Sequence, residues 1–162
     1  MRRSRPISAI VLIGLMSITL YVGFTQHVGS FDDAYITYRY ARNIVLGNGF
    51  VYNSTEAVLG TTTPLYTLLL AGSVHFSPDI VLNSHVFSVL AWAMCVMVIY
   101  GLARNHGSEL TAFLAAALIA TNALFLNVLG METAVYILLA LTTFFLQSRN
   151  RSSWAAVRAG WC

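Results

Sequence analysis

The sequence contains no lysine, and its nine arginines and six acidic residues make only 9% of 162 positions charged. Soluble domains carry about a quarter charged residues, so an ordinary soluble domain is excluded. With every basic side chain except histidine an arginine, the formal charge of +3 comes from scattered positions and gives no nucleic-acid signal. Cysteine is scarce too. Cys95 lies inside an apolar run and Cys162 is the last residue, which makes neither a disulfide framework nor a metal-ligand spacing. Glycine-rich phosphate loops, internal repeats and low-complexity tracts are absent.

What is abundant is apolar length: 57% of the residues are hydrophobic and the mean hydropathy is +0.71. Four runs, residues 7–24, 80–102, 110–129 and 133–147, are long enough or nearly so to cross a hydrocarbon core of about 30 Å. The last is short and needs Arg149 and Arg151 to snorkel. The first follows Arg2, Arg3 and Arg5, exceeds the length of a signal-peptide core and lacks a small-residue cleavage site, so it reads as an uncleaved membrane helix. A fifth apolar stretch, residues 64–76, has the length of an interfacial or re-entrant segment.

Arginine placement arbitrates the topology. If residues 64–76 do not cross, Arg2, Arg3, Arg5, Arg104, Arg149, Arg151 and Arg158 share one side, which is then cytoplasmic. Asp32, Asp33, Glu56, Asp79 and Glu132 share the other. The expected fold is an all-α membrane protein of four transmembrane helices. Its N-terminus and its tail, residues 148–162, are cytoplasmic. An outer loop over residues 25–79 carries juxtamembrane helices. The second and third spans, joined by a short basic turn, should pack as a hairpin.

Within that loop, Ser30-Phe31-Asp32-Asp33 offers N-cap chemistry, and residues 34–46 have helical periodicity ending at Gly47. Asp32, Tyr35, Arg39 and Arg42 fall on one stripe, while Ile36, Tyr40 and Ile44 form a more apolar stripe suited to lying on the membrane. Residues 47–53 read as a turn with a brief extended piece, and Thr61-Thr62-Thr63-Pro64 as a helix start.

The chemistry-bearing residues are few. Two adjacent carboxylates just beyond a membrane helix, Asp32 and Asp33, point to function about as strongly as to capping and helix-dipole stabilisation. Glu132 sits in a turn too short to hold a domain, on the same face, where carboxylates could supply a general base and a metal or hydroxyl ligand. Arg39 and Arg42 are the outer arginines. They suit a substrate phosphate, an ion pair with Asp33 or Glu56, or lipid phosphate. His27 and His75 belong to the outer interface without ligand spacing, and His85 reads as a hydrogen-bonded packing residue. Tyr35, Tyr38, Tyr40 and Tyr52 fit an interfacial aromatic belt at least as well as a sugar-stacking platform.

Three separated motifs carry a resemblance. They are Asp32-Asp33-Ala34-Tyr35-Ile36-Thr37-Tyr38-Arg39-Tyr40-Ala41-Arg42-Asn43, continuing through Gly47 to Asn53, then Glu56-Ala57-Val58-Leu59-Gly60-Thr61-Thr62-Thr63-Pro64-Leu65, and finally Gly130-Met131-Glu132-Thr133-Ala134. In this order they resemble the opening part of the C-type, multi-membrane-spanning glycosyltransferases, and within them bacterial enzymes related to the cell-wall arabinofuranosyltransferases.

The resemblance implies transfer of a sugar from a polyprenyl-phosphate donor to a glycan, lipid or protein acceptor of the cell envelope. The reaction would run on the outer face of the plasma membrane, by inverting displacement. It makes Asp33 or Asp32 the base, Glu132 the assisting acid of the second outer loop, and Arg39 and Arg42 candidates for the lipid phosphate. Tyr35 and Glu56 join them as substrate-binding candidates. Metal dependence varies in the family, so a divalent cation held by Asp32, Asp33 and Glu132 is left open. Nucleic acid is not an expected partner; membrane lipid is.

Ala57 and Thr61 stand where family members commonly carry a basic and an aromatic residue, which bears on acceptor recognition. Family members are also several times longer, so the chain reads as an N-terminal fragment. The alternative is a non-enzymatic subunit or degenerate product that at most binds lipid phosphate. A small proton-coupled transporter ranks last, because no Asp, Glu or Arg interrupts the first three runs.

Overall fold

The computed structural model describes residues 5–26, 32–53 and 60–159, and the described residues form helices α1 (Arg5–Thr25), α2 (Asp32–Val45), α3 (Pro64–Ser73), α4 (Ile80–His106), α5 (Glu109–Ala120), α6 (Ala123–Asn127) and α7 (Thr133–Ala159). Three segments are long and apolar enough to cross a membrane: Ser8–Thr25, Ile80–His106 and Glu109–Asn127. The apolar part of α7, Thr133–Arg149, and α3 are shorter. Instead of stopping near residue 147, α7 runs on through the arginine-bearing tail to Ala159. Gln, Arg and Ala are good helix formers, and nothing between residues 148 and 159 breaks the helix.

Local chemistry sets the ends. Asp79 caps α4 by accepting the Leu82 N–H at 3.0 Å, and Ser108 caps α5 by accepting the Thr111 N–H at 3.2 Å. Pro64 opens α3, where its missing N–H costs no helical hydrogen bond. The third apolar segment is discontinuous. Between α5 and α6, Asn122 accepts the Leu124 N–H at 3.0 Å, and Trp92 donates its indole N–H to the Ile119 carbonyl at 2.8 Å. The same carbonyl accepts the Asn122 N–H at 3.3 Å, so this backbone group at the break is satisfied within the protein, the condition under which a broken helix is tolerated in a bilayer.

α4 is the axis of the fold, packing on α1, α5 and α7 along its length and on α2 and α3 near its N-terminus. Its buried face includes Ser84, His85, Ser88, Val89, Trp92, Cys95 and Val96. Trp92 stacks on Phe125 with ring centroids 5.5 Å apart. Ile10, Ile13, Leu90, Met94, Leu114, Leu118 and Phe144 are exposed, an apolar exterior that suits lipid contact and not water.

The two ends of the bundle differ. At one, Glu109 accepts a hydrogen bond from Ser8 of α1 and another from the Tyr100 hydroxyl at 3.1 Å. It also pairs with Arg104 at 3.1 Å. Glu109 is the acid that the sequence reading left unassigned, and it locks the expected α4–α5 hairpin to α1 on the arginine-rich side. At the opposite end, α2 and α3 pack together over the start of α4 through Ala34, Tyr38, Ala41, Tyr66, Leu70 and Ala71.

Candidate functional site at the α2–α3 end of the bundle

The asymmetry of α2 builds the site. Its inner face, Ala34, Thr37, Tyr38, Tyr40 and Ala41, is buried. The stripe of Asp32, Tyr35, Arg39 and Arg42 is exposed throughout, as the spacing predicts. The Ile36, Tyr40 and Ile44 stripe is not a lipid-facing surface. Tyr40 is fully buried, and Ile44 packs against the α2–α3 core. Because Tyr38 and Tyr40 are inside, the expected aromatic belt or platform reduces to the exposed Tyr35 and Tyr52.

Hydrogen bonds tie the three sequence motifs into one body. Thr37 on α2 and Thr63 ahead of α3 share a buried hydroxyl contact of 3.3 Å, and Thr61 meets Thr63 at the same distance. The Tyr40 hydroxyl accepts the Gly60 N–H at 2.6 Å. The Tyr38 hydroxyl donates to the Gly130 carbonyl at 2.6 Å and is bonded to Ser84 Oγ at 2.5 Å. Ser88 donates to the Met131 carbonyl at 2.8 Å and accepts the Gly130 N–H at 3.1 Å. Gly130 takes φ +87°, a left-handed conformation that glycine adopts without steric cost. The turn that carries Glu132 is thus held by side chains of α2 and α4.

Tyr66 of α3 completes this cluster, donating to the Ser84 carbonyl at 3.3 Å. Burial pushes its hydroxyl well above the ordinary tyrosine range, and the neighbouring Tyr38 and the Glu132 carboxylate add to the rise; hydrogen bonds from Ser88 and Ser84 oppose it. Glu132 is therefore close enough to Tyr66 for its charge to be felt there.

The candidate residues differ in what already engages them. Asp32 and Asp33 are exposed in the first turn of α2 with no hydrogen-bond or ion-pair partner among the described residues. Glu132 is half-buried. Among the described residues no three His, Cys, Asp or Glu side chains gather around a common point.

Arg39 is occupied. Its guanidinium donates to the Tyr52 carbonyl and to Asn53 Oδ1, each at 3.0 Å, and lies 4.5 Å from the centre of the Tyr52 ring. Asn43 donates to the carbonyls of Val51 and Tyr52 at 2.8 and 2.9 Å, so residues 47–53 fold back onto α2. Arg42 has no hydrogen-bond or ion-pair partner among the described residues and is exposed. Glu56 and His27 lie outside the described residues.

One turn beyond Arg42, Val45 joins Ile44, Leu68, Ala71, Gly72, Val74 and His75 in lining an open apolar groove of about 410 Å³ between α2 and α3. Leu65, Leu68 and Leu69 on α3 and Phe76 beyond it are exposed alongside. His85 is buried as expected, its Nε2 3.1 Å from the Gly23 carbonyl. Asn83 is satisfied by Ser73 and the Ser77 carbonyl at 2.9 and 2.8 Å.

Sequence reasoning missed Tyr38, Tyr66, Ser84 and Ser88 as a polar cluster. The legible signal was Ser84 and Ser88 four apart in an otherwise apolar span, which puts both hydroxyls on one helix face. Compared with known proteins, the chain matches no family model, no curated protein and no solved structure.

Proposed function

We propose that the chain is the donor-site part of a membrane glycosyltransferase that moves a sugar from a polyprenyl-phosphate carrier to a cell-envelope acceptor. The observation that carries this reading is the joining of the three motifs: Thr37 to Thr63, Tyr40 to Gly60 and Tyr38 to Gly130. Residues far apart in sequence meet at one end of the bundle, with Asp32, Asp33 and Arg42 exposed on its surface and without a hydrogen-bond or ion-pair partner among the described residues. In this reading α7 is a fourth span, α3 lies in the interface, and the α2–α3 end faces the outside of the plasma membrane. The side opposite, with Arg104, is cytoplasmic.

The chemistry asks little of the protein beyond placement and charge. The acceptor hydroxyl attacks the anomeric carbon, the bond to the phosphate oxygen breaks with its electron pair, and the hydroxyl proton passes to the carboxylate of Asp33 or Asp32. Arg42 offsets charge on the departing lipid phosphate. The groove beside Val45 accommodates the first isoprene units of the tail, and Glu132 orients the acceptor.

Purified protein in lipid discs, given a radiolabelled polyprenyl-phosphate sugar and an acceptor glycan, tests the reading. The expected result is sugar transfer abolished by Asp33→Asn or Asp32→Asn with carrier binding retained. Equal transfer by both variants and the parent would remove the catalytic assignment.

A further inference from the structure

A buried tyrosine and a buried serine, Tyr38 and Ser88, bond the backbone just ahead of Glu132. The turn containing Glu132 makes three polar contacts with the rest of the bundle through its backbone: Gly130 O to Tyr38, Gly130 N to Ser88, and Met131 O to Ser88. Tyr38 is 5% exposed and Ser88 is fully buried, so water cannot easily replace either hydroxyl. Buried pairs of this kind have one satisfied arrangement, and breaking it leaves a stranded carbonyl or N–H.

Tyr38 also belongs to the same rigid helix as the aspartates. It lies within α2, whose first turn holds Asp32 and Asp33. Its ring is edge-on to Tyr35, 5.3 Å between centroids, and its hydroxyl is bonded to Ser84 on α4 as well as to Gly130. One side chain therefore links the element that carries the aspartates to the turn that carries the glutamate. Ser88 fixes the same turn to α4.

We infer that Tyr38 and Ser88 are positioning residues that hold the Glu132 turn in one register against the Asp32–Asp33 helix. The inference rests, for its link to turnover, on the glycosyltransferase reading; its geometric half stands apart from it. Loss of either hydroxyl frees the turn without touching a carboxylate. The structural consequence is a spread of Glu132 positions. The kinetic consequence is a fall in turnover with substrate affinity kept, since misplacement of a reacting group by about 1 Å costs about 100-fold.

The test is a pair of spin labels at Asp32→Cys and Glu132→Cys in a Cys162→Ser background, read as a distance distribution in lipid discs. Cys95 is buried and stays unlabelled. The parent and the control Thr67→Val, which removes a buried hydroxyl donated to the Thr63 carbonyl at the start of α3 at 3.0 Å, should give one narrow distribution. Tyr38→Phe and Ser88→Ala should broaden it. An unchanged distribution in both variants overturns the positioning role, whatever the protein's activity.

On unlabelled protein, Tyr38→Phe should lower kcat about 100-fold with KM held, whereas Thr67→Val leaves both near parental values. A broadened distribution with unaltered kcat overturns the link to turnover. If the parent itself transfers no sugar, the glycosyltransferase reading falls and the distance measurement still decides the geometry.

Discussion

The hydroxyl of Tyr40, fully buried on α2, accepts the backbone N–H of Gly60 at 2.6 Å. This bond draws the approach to α3 against a helix 20 positions earlier in the chain. A Cβ built on Gly60 would stand 3.1 Å from that oxygen, so the two residues fit each other closely. Tyr40→Phe should therefore lower stability by about 1 kcal/mol, the net worth of one such bond. Thermal unfolding in detergent measures it, with Tyr35→Phe, at an exposed ring, as the comparison.

Gly23 and Val89 set how closely α1 approaches α4. A Cβ on Gly23 would come within 2.7 Å of a Val89 methyl, and a β-branched side chain has little rotamer freedom in a helix to yield. Gly23→Ala should cost about 1–3 kcal/mol by overpacking and weaken the His85 contact with the Gly23 carbonyl. Adding Val89→Ala should recover part of the loss, because the two substitutions share one contact. Additive destabilisation in the double variant would contradict the close approach.

Arg39 and Arg42 should separate in their effects. Arg42 has no partner among the described residues, and Arg39 holds Tyr52 and Asn53. Arg42→Ala should weaken carrier binding by about 10-fold or more, the scale of one charge-assisted hydrogen bond, and leave proteolysis of residues 47–53 unchanged. Arg39→Ala should loosen that segment to protease. Isothermal binding of a short-chain prenyl phosphate, set beside limited proteolysis, distinguishes the two.

Alkaline pH should act on the cluster at Tyr66. Its hydroxyl titrates above the ordinary tyrosine value of about 10 in the folded protein, with burial the main cause. The folded state therefore keeps a proton that the unfolded state gives up. The resulting stabilisation is fully present below the unfolded value and is lost as pH climbs through the folded one. Tyr66→Phe should flatten that alkaline loss, and spectrophotometric titration of the phenolates should show one fewer late-ionising group.

Topology is open to direct chemistry. An exposed cysteine at Asn48→Cys should react with an impermeant thiol reagent from outside the cell, and one at Asn105→Cys should react only after the membrane is opened. Labelling of Asn105→Cys from outside would place Arg104 and Glu109 on the outer face and overturn the orientation proposed.

The sequence by itself determined the class, most helix starts and the exposed face of α2. A scarcity of charge with long apolar runs leaves few alternatives to membrane helices. Pro64, directly after three threonines, marks a helix start through local chemistry. The polar stripe of Asp32, Tyr35, Arg39 and Arg42 is exposed because helical spacing alone collects those residues on one side.

The tertiary structure decided the rest: the burial of Tyr38 and Tyr40, the employment of Arg39 by Tyr52 and Asn53, the lock at Glu109, and the break after Ala120. The reason is physical. Beside a bilayer, lipid-facing and protein-facing positions are both apolar, so hydrophobic periodicity cannot tell them apart. The hydrogen bonds that gather the candidate site reach across as many as 92 residues, from Tyr38 to Gly130, and only the folded chain brings such partners within reach.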